Sequence, residues 1–282
     1  MVDFFNPSIT SRLINSITKN HSGLQGSLSK VASGQRLINA SVDPAGLAVS
    51  EKLRSNLAAL SQAIKNTEGG AGFLNVAEAG LSAITDLVIR GRELASQAAS
   101  ATIGNSERQA LNVEFQNIVA EIDRLAQSTE FNGQNLLNGD LAPTAPPVEL
   151  QVGIGGTAND RISLNVIDAT DSATLGLAGL DLSTAAGAQA ALAPLDAAVQ
   201  TVLGTRSNVG ALAGRLETVA SSSRSSFVEL TAARSQIADA DLAQEISDLG
   251  NALLRLETSI RALAIHNRGN ADNVGRLLNI RA

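Results

Sequence analysis

Apolar residues return at alternating steps of three and four along both ends of the chain. Near the N-terminus the positions are Ile14, Ile17, His21, Leu24, Leu28, Val31, Gln35 and Ile38. A mean step of about 3.5 residues marks a coiled-coil seam; His21 and Gln35 break it with polar groups. Near the C-terminus Leu242, Ile246, Leu249, Leu253, Leu256, Ile260, Leu263, Asn267, Asn270, Val274 and Leu277 obey the same rule without a slip. That run predicts a helix about 50 Å long. A second C-terminal seam comes before it, through Leu192, Leu195, Val199, Val202, Arg206, Val209, Ala213, Leu216, Ala220, Ser223, Phe227, Leu230, Arg234 and Ile237. In the first half, helical spacing joins Leu53, Leu57, Leu60 and Ile64, then Leu74, Ala77, Leu81, Ile84, Val88, Gly91 and Ala95. Gly91 on this seam predicts close approach of another helix. A third run, Leu111, Phe115, Ile118, Ile122 and Leu125, has Asn105-Ser106 as its expected N-cap.

Between these arms the pattern changes. Asn132-Gly133 and Asn138-Gly139 are turn signals, and Pro143, Pro146 and Pro147 exclude a continuous helix. Val148–Val152 and Arg161–Val166 alternate at period two around a glycine-rich stretch, which predicts a β-hairpin standing off the helical body. Gly, Asn, Ser and Asp43-Pro44 crowd residues 34–46 and predict a linker. The fold class is therefore mainly α, with long antiparallel helices, a terminal coiled coil and a small β-hairpin insert. The terminal seams are narrow, so their partners are expected partly in neighbouring copies. A monomeric helical bundle presents the same periodicity.

Composition sharpens this picture. Hydrophobic residues make up 44% of the 282 positions but aromatics only 2%. Ala, Leu, Val and Ile thus build the core, which favours thin helical packing over a deep ligand pocket. Cysteine is absent, so disulfides, thiolate nucleophiles and Cys-ligated metals are excluded. A net charge of −6 gives no footprint for nucleic acid. No stretch approaches ~20 apolar residues, so no membrane insertion is expected. The start, Met1-Val-Asp-Phe-Phe-Asn-Pro7, lacks the basic and apolar regions of a Sec-type signal peptide.

Candidate chemistry is sparse. Gly153-Ile-Gly155-Gly-Thr-Ala158 matches a dinucleotide fingerprint, but a strand pattern follows where that motif must open a helix. His21 and His266 lack the carboxylate spacing of a catalytic or zinc site. Asp239, Asp241 and Glu245 lack the spacing of a calcium loop and are read as a cap on the last helix. No catalytic, cofactor-binding or metal-binding residue is assigned, no cofactor is expected, and the chain is read as a non-enzyme.

Several ordered motifs resemble the bacterial flagellin family. Ala32-Ser-Gly-Gln-Arg-Leu-Ile-Asn-Ala-Ser-Val-Asp-Pro-Ala-Gly-Leu-Ala-Val-Ser50 is similar to its N-terminal signature. Arg90-Gly-Arg-Glu-Leu-Ala-Ser-Gln97, Glu121-Ile-Asp-Arg124 and Thr129-Glu-Phe-Asn-Gly-Gln-Asn-Leu-Leu137 continue the likeness in order. Leu150–Gly153 and Ala173–Leu177 resemble the hairpin region. Asn208–Ala211, Arg215–Glu217, Ala232–Asp241 and, more loosely, Ala262–Leu278 resemble the C-terminal half.

The resemblance implies a structural subunit that polymerises into the flagellar filament, a motility propeller outside the cell. Residues 1–44 with 242–282 would form a terminal coiled-coil core, and 45–177 with 190–241 a helical rod carrying the hairpin. The short variable region 140–190 leaves no room for large outer domains. The polymerisation seam is placed at Ile14, Ile17, Leu24, Leu28, Val31, Ile246, Leu249, Leu253, Leu256, Ile260 and Leu263. The implied partners are other copies of the chain, the flagellar type III export apparatus, a chaperone, and the filament cap and junction proteins. In some flagellins the rod is recognised by Toll-like receptor 5; the matching residues are Arg90, Leu94 and Glu114, with Gly91 where the motif carries a larger residue. The alternative within the same lineage is a hook–filament junction protein. An enzyme in the 140–190 insert and a coiled-coil scaffold unrelated to motility are the alternatives outside it.

Overall fold

The computed structural model describes residues 7–279, with side chains described for 9–272. The opening run Met1 to Asn6 and the side chains of the seam positions Val274 and Leu277 lie outside the described residues. Five helices carry the chain: α1 (Pro7–Ser33), α2 (Pro44–Ala98), α3 (Asn105–Ser128), α4 (Ala185–Ala238) and α5 (Leu242–Asn279). Two small antiparallel ladders lie between α3 and α4. One pairs β1 (Glu130–Phe131) with β2 (Gln134–Asn135), the other β3 (Glu149–Gln151) with β4 (Arg161–Ser163). The mainly α fold expected from periodicity is the one observed.

The chain divides into two compact units. One contains the residues up to Ser55 and those from Glu229 onward; the other is Asn56–Val228. Both divisions fall inside a helix, so α2 and α4 each contribute to both units.

The larger unit is built on seams read directly from the sequence. Leu74, Ala77, Leu81, Ile84, Val88 and Ala95 of α2 are all buried, because alternating three and four keeps one stripe turned inward. Phe115, Ile118 and Ile122 of α3 and Leu195, Val202, Val209 and Leu216 of α4 close the same core. Gly91 marks the expected close approach: a Cβ there would sit 3.2 Å from the Phe115 ring. By length and composition α2 is apolar enough to cross a bilayer, contrary to the sequence expectation. The apolar side chains responsible include those that fill this core.

The insert is not an excursion. Leu136, Leu137, Leu141, Ile162, Leu164, Ile167, Leu175, Leu177 and Leu182 belong to the same buried cluster as the helices. Polar side chains then fasten its irregular backbone. Asn165 accepts from Val148 N–H at 2.6 Å and donates to the Ala142 and Pro146 carbonyls at 3.1 and 3.0 Å. Asp123 of α3 accepts from the Ser172 N–H and hydroxyl at 2.7 and 2.9 Å. Asn112 accepts from Leu182 N–H, and Gln116 donates to the Leu180 carbonyl. These bonds meet the demand that a buried loop satisfy its own backbone groups. The expected cap at Asn105-Ser106 is displaced by one position. Gly104 is the N-cap and makes no side-chain bond, while Asn105 accepts from Arg108.

The Gly153–Asp160 stretch is a hairpin turn that feeds β4, not a phosphate loop. Its carboxylate, Asp160, accepts from the Thr157 hydroxyl at 2.6 Å and the Thr157 N–H at 3.0 Å. These bonds hold the Asp160 carboxyl below the ordinary carboxylate range. A depressed folded-state pKa stabilises the turn above the unfolded value and is lost as pH falls through the folded one. Hydrogen-exchange protection of residues 153–161 is therefore expected to fall on acidification below about pH 4, and Asp160→Asn to lower it at neutral pH. Protection that stays constant through the acid range would show that the turn is held by other bonds.

Candidate assembly surface

The smaller unit is dominated by α1 and α5, which pack against each other. Helix α1 starts on a proline, whose missing N–H costs nothing at the first position. It ends at Gly34, with φ of +66°, a conformation that glycine adopts without Cβ strain. Helix α5 is capped by Asp241, which accepts from the Ala243 and Gln244 N–H groups at 3.0 and 3.2 Å. The acidic group around it is thus spoken for: Asp239 accepts from the Ser235 hydroxyl, and Glu245 pairs with Lys30 at 2.8 Å. Among the described residues no cluster of His, Asp and Glu is arranged to hold a metal ion.

Between α1 and α5 the chain makes a short backbone clasp. Arg36 N–H donates to the Ala238 carbonyl at 2.7 Å, and Ala240 N–H to the Gly34 carbonyl at 3.0 Å. The Arg36 guanidinium adds a 2.6 Å bond to the Ile237 carbonyl. Leu37 and Ala238 are buried beside it. The linker predicted at 34–46 is therefore tied to the residues just before α5.

The predicted polymerisation seam divides into two sets. Ile17, Leu24 and Val31 on α1, and Leu249, Leu256 and Leu263 on α5, are half-buried in the pairing of the two helices. Ile14, Leu28, Ile246, Leu253 and Ile260 keep 49–57% of their surface exposed. The division has a physical cause. A helix presents several rows spaced seven apart, and two of them straddle its line of contact with one partner. Beside the apolar row, α1 turns Asn20 and Ser27 inward and α5 turns Ala252, Ser259 and His266 inward. The row of Ile246, Leu253 and Ile260 is left outside. Leu254 and Ile265 widen the exposed apolar surface of α5.

Neither histidine forms a joint site. His21 bonds Gln25 and His266 bonds Asn270, each four residues along its own helix.

The receptor-matching residues lie in the larger unit. Arg90 donates to Glu114 at 2.7 and 3.1 Å and to Glu93 at 3.1 Å. The bonds to Glu114, then Glu93, raise the Arg90 pKa above the ordinary guanidinium value. Leu94 is 1% exposed. Leu94 faces the core because it shares the α2 stripe with Gly91 and Ala95, whereas Arg90 and Glu114 reach the surface.

The model of the bacterial flagellin N-terminal helical region matches residues 7–142, and that of the C-terminal helical region matches residues 192–278. The chain belongs to the flagellin family. This flagellin is 34% identical to the flagellar filament 30.7 kDa core protein of Treponema maltophilum, across 92% of this chain and 93% of the relative. It is 32% identical to the flagellin of Bacillus subtilis, across 94% and 96%. A proposed flagellar hook-associated protein of Vibrio parahaemolyticus shares the fold, with a TM-score of 0.58 at 15% identity over 70% of this chain and all of that one. Fold alone therefore does not separate filament from junction proteins, whereas identity along nearly the whole chain favours the filament subunit. Flagellins are structural proteins, and this one is a compact member with no large outer domain between its two helical regions.

Proposed function

We propose that this flagellin polymerises into the bacterial flagellar filament and that neighbouring copies pack on the exposed apolar rows of α1 and α5. The observation behind this is the row of Ile246, Leu253 and Ile260, about half exposed although each is a large apolar side chain. A heterologous contact whose rotation does not close extends into a helical filament. Each square ångström of apolar surface removed from water contributes roughly 25 cal/mol to that contact. In this reading residues 1–44 with 242–282 form the filament core, and 45–177 with 190–241 the surrounding rod. The filament stands outside the cell and transmits torque. Export through the flagellar type III apparatus, a chaperone before export, and cap and junction proteins at the filament ends complete the cycle. A receptor such as Toll-like receptor 5, approaching the rod, meets Arg90 and Glu114 bonded to each other.

Purified subunit seeded with filament fragments is expected to elongate, as read by light scattering and negative-stain microscopy. A variant without residues 1–38 and 242–282 is expected to stay unassembled. A full chain that forms only a small closed oligomer under seeding would favour the junction protein and overturn this reading.

A further inference from the structure

The apolar row between α1 and α5 repeats every seven residues on both helices. Ile17, Leu24 and Val31 on α1 and Leu249, Leu256 and Leu263 on α5 are its half-buried members. Such a row does not define its own alignment. Sliding one helix by a heptad matches apolar residues as well as before, apart from one lost contact at the end. Yet the row beside it, which includes Leu13 and Ala252, also carries the polar residues Asn20, Ser27, Glu245, Ser259 and His266. Asn20 donates to the Ser259 hydroxyl at 2.8 Å and to the Arg255 carbonyl at 3.3 Å. Lys30 pairs with Glu245 at 2.8 Å, and Glu245 is only 9% exposed. The second carboxylate oxygen of Glu245 is buried with no partner. These groups are more polar than Ile14, Leu28, Ile246, Leu253 and Ile260, which lie outside the pairing.

The structure assigns Asn20 and the Lys30–Glu245 pair as registration residues, which hold α1 and α5 in one antiparallel alignment and so place the exposed rows in step for assembly; this rests on the polymerisation reading above. A heptad slip separates Asn20 from Ser259 and moves Lys30 about 10 Å along the axis from Glu245. The buried carboxylate then loses its counter-charge, which makes the slipped state costly rather than merely different. A single polar residue in an apolar seam fixes register in this way at the expense of stability. The inward-facing polar row therefore contributes specificity, and the outward-facing apolar row contributes affinity for other copies.

The test uses the absence of cysteine, which lets a pair of introduced thiols report alignment without background. Interpolation between the Asn20–Ser259 and Lys30–Glu245 contacts places Leu24 level with about residue 253, and Ala252 is the inward-facing position next to it. Ala252→Cys is combined in turn with Leu24→Cys, Ile17→Cys and Val31→Cys, and each full-length protein is treated with a short bifunctional thiol reagent. With Asn20 intact, only the Leu24 partner is expected to couple efficiently, in seeded filaments and in the soluble subunit wherever the arms are folded. With Asn20→Leu, Lys30→Met and Glu245→Met added together, coupling is expected to spread to the Ile17 or Val31 partner. Seeded elongation is expected to fall at least tenfold while helicity stays the same or rises. Asn20→Gln, which keeps the amide, is expected to keep the single coupling. A purely stabilising contact would move helicity and elongation down together.

The triple variant that elongates like the parent and couples only through Leu24 overturns the assignment, and so does loss of coupling at all three partners. Failure of the parent chain itself to elongate on seeds is a different result: it removes the polymerisation reading and leaves the cross-linking pattern of the soluble subunit to judge register alone.

Discussion

Serine at Ile246, Leu253 and Ile260 together is expected to abolish filament growth while the larger unit melts as before. The three side chains lie one heptad apart on a single row of α5, outside its pairing with α1. Each is already about half covered, so full burial against another copy gains about half of a large aliphatic side chain's transfer energy. That is about 1 kcal/mol per residue, or about 3 kcal/mol for the row. At 1.4 kcal/mol per tenfold, the concentration needed for growth rises at least about a hundredfold. A hydroxyl carried into a dry interface without a partner adds to the cost. The informative control is the neighbouring row. Serine at Leu249, Leu256 and Leu263 is expected to lower helicity of the isolated subunit as well, because those residues already pack within the chain. Filaments that grow normally from the Ile246, Leu253 and Ile260 variant would show that copies meet on another surface.

That contrast also shows how far the sequence can be read. In α2 the stripe from Leu74 to Ala95 was largely legible, since apolar residues dominate both inward rows; buried Thr85, whose hydroxyl donates to the Leu81 carbonyl, is a polar exception. In α1 and α5 apolar residues fill one inward row and one outward row. Periodicity joins those two into a single seam because it weighs polarity and cannot see Asn20 finding Ser259 across more than two hundred residues of chain. The hairpin of β3 and β4 was legible, but the packing of the insert into the core was not, for a related reason. Its strands are three residues or shorter, and its backbone is held by Asn165, Asp123 and Asn112, single polar residues that leave no periodic mark. Leu94 is the opposite case: a motif position whose side of the helix, the buried one, the motif alone does not state. The Asn132-Gly133 turn between β1 and β2 was legible from two residues, because their φ values of 53° and 78° are what Asn-Gly accommodates.

Arg108→Ala is expected to be among the most destabilising surface-type substitutions in this flagellin, although no carboxylate pairs with Arg108 among the described residues. The side chain is 7% exposed. Its guanidinium donates to the Ala98 carbonyl at 2.8 Å, the Ser100 carbonyl at 2.7 Å and the Asn105 amide oxygen at 3.2 Å. Ala98 is the last residue of α2, where outward-pointing carbonyls make a negative helix end. A cation is favoured there, and a planar fork reaches several carbonyls at once. Truncation removes these bonds, leaves the buried Ala98 carbonyl without its donor and the Ser100 carbonyl with only a 3.5 Å bond from Ile103 N–H, at about 1–3 kcal/mol for each buried group. A net loss of about 3 kcal/mol corresponds to a fall of about 10 °C in Tm for a unit of this size. Arg108→Lys should recover part of it, since one ammonium cannot span both carbonyls. Arg90→Ala breaks a bond between the same two helices, from α2 to Glu114 of α3, yet it should barely move Tm because both partners stand in water. Calorimetry on the three variants decides the matter. If Arg90→Ala lowers Tm as much as Arg108→Ala, the α2–α3 connection is held by its exposed charges, and the buried cap adds little to it.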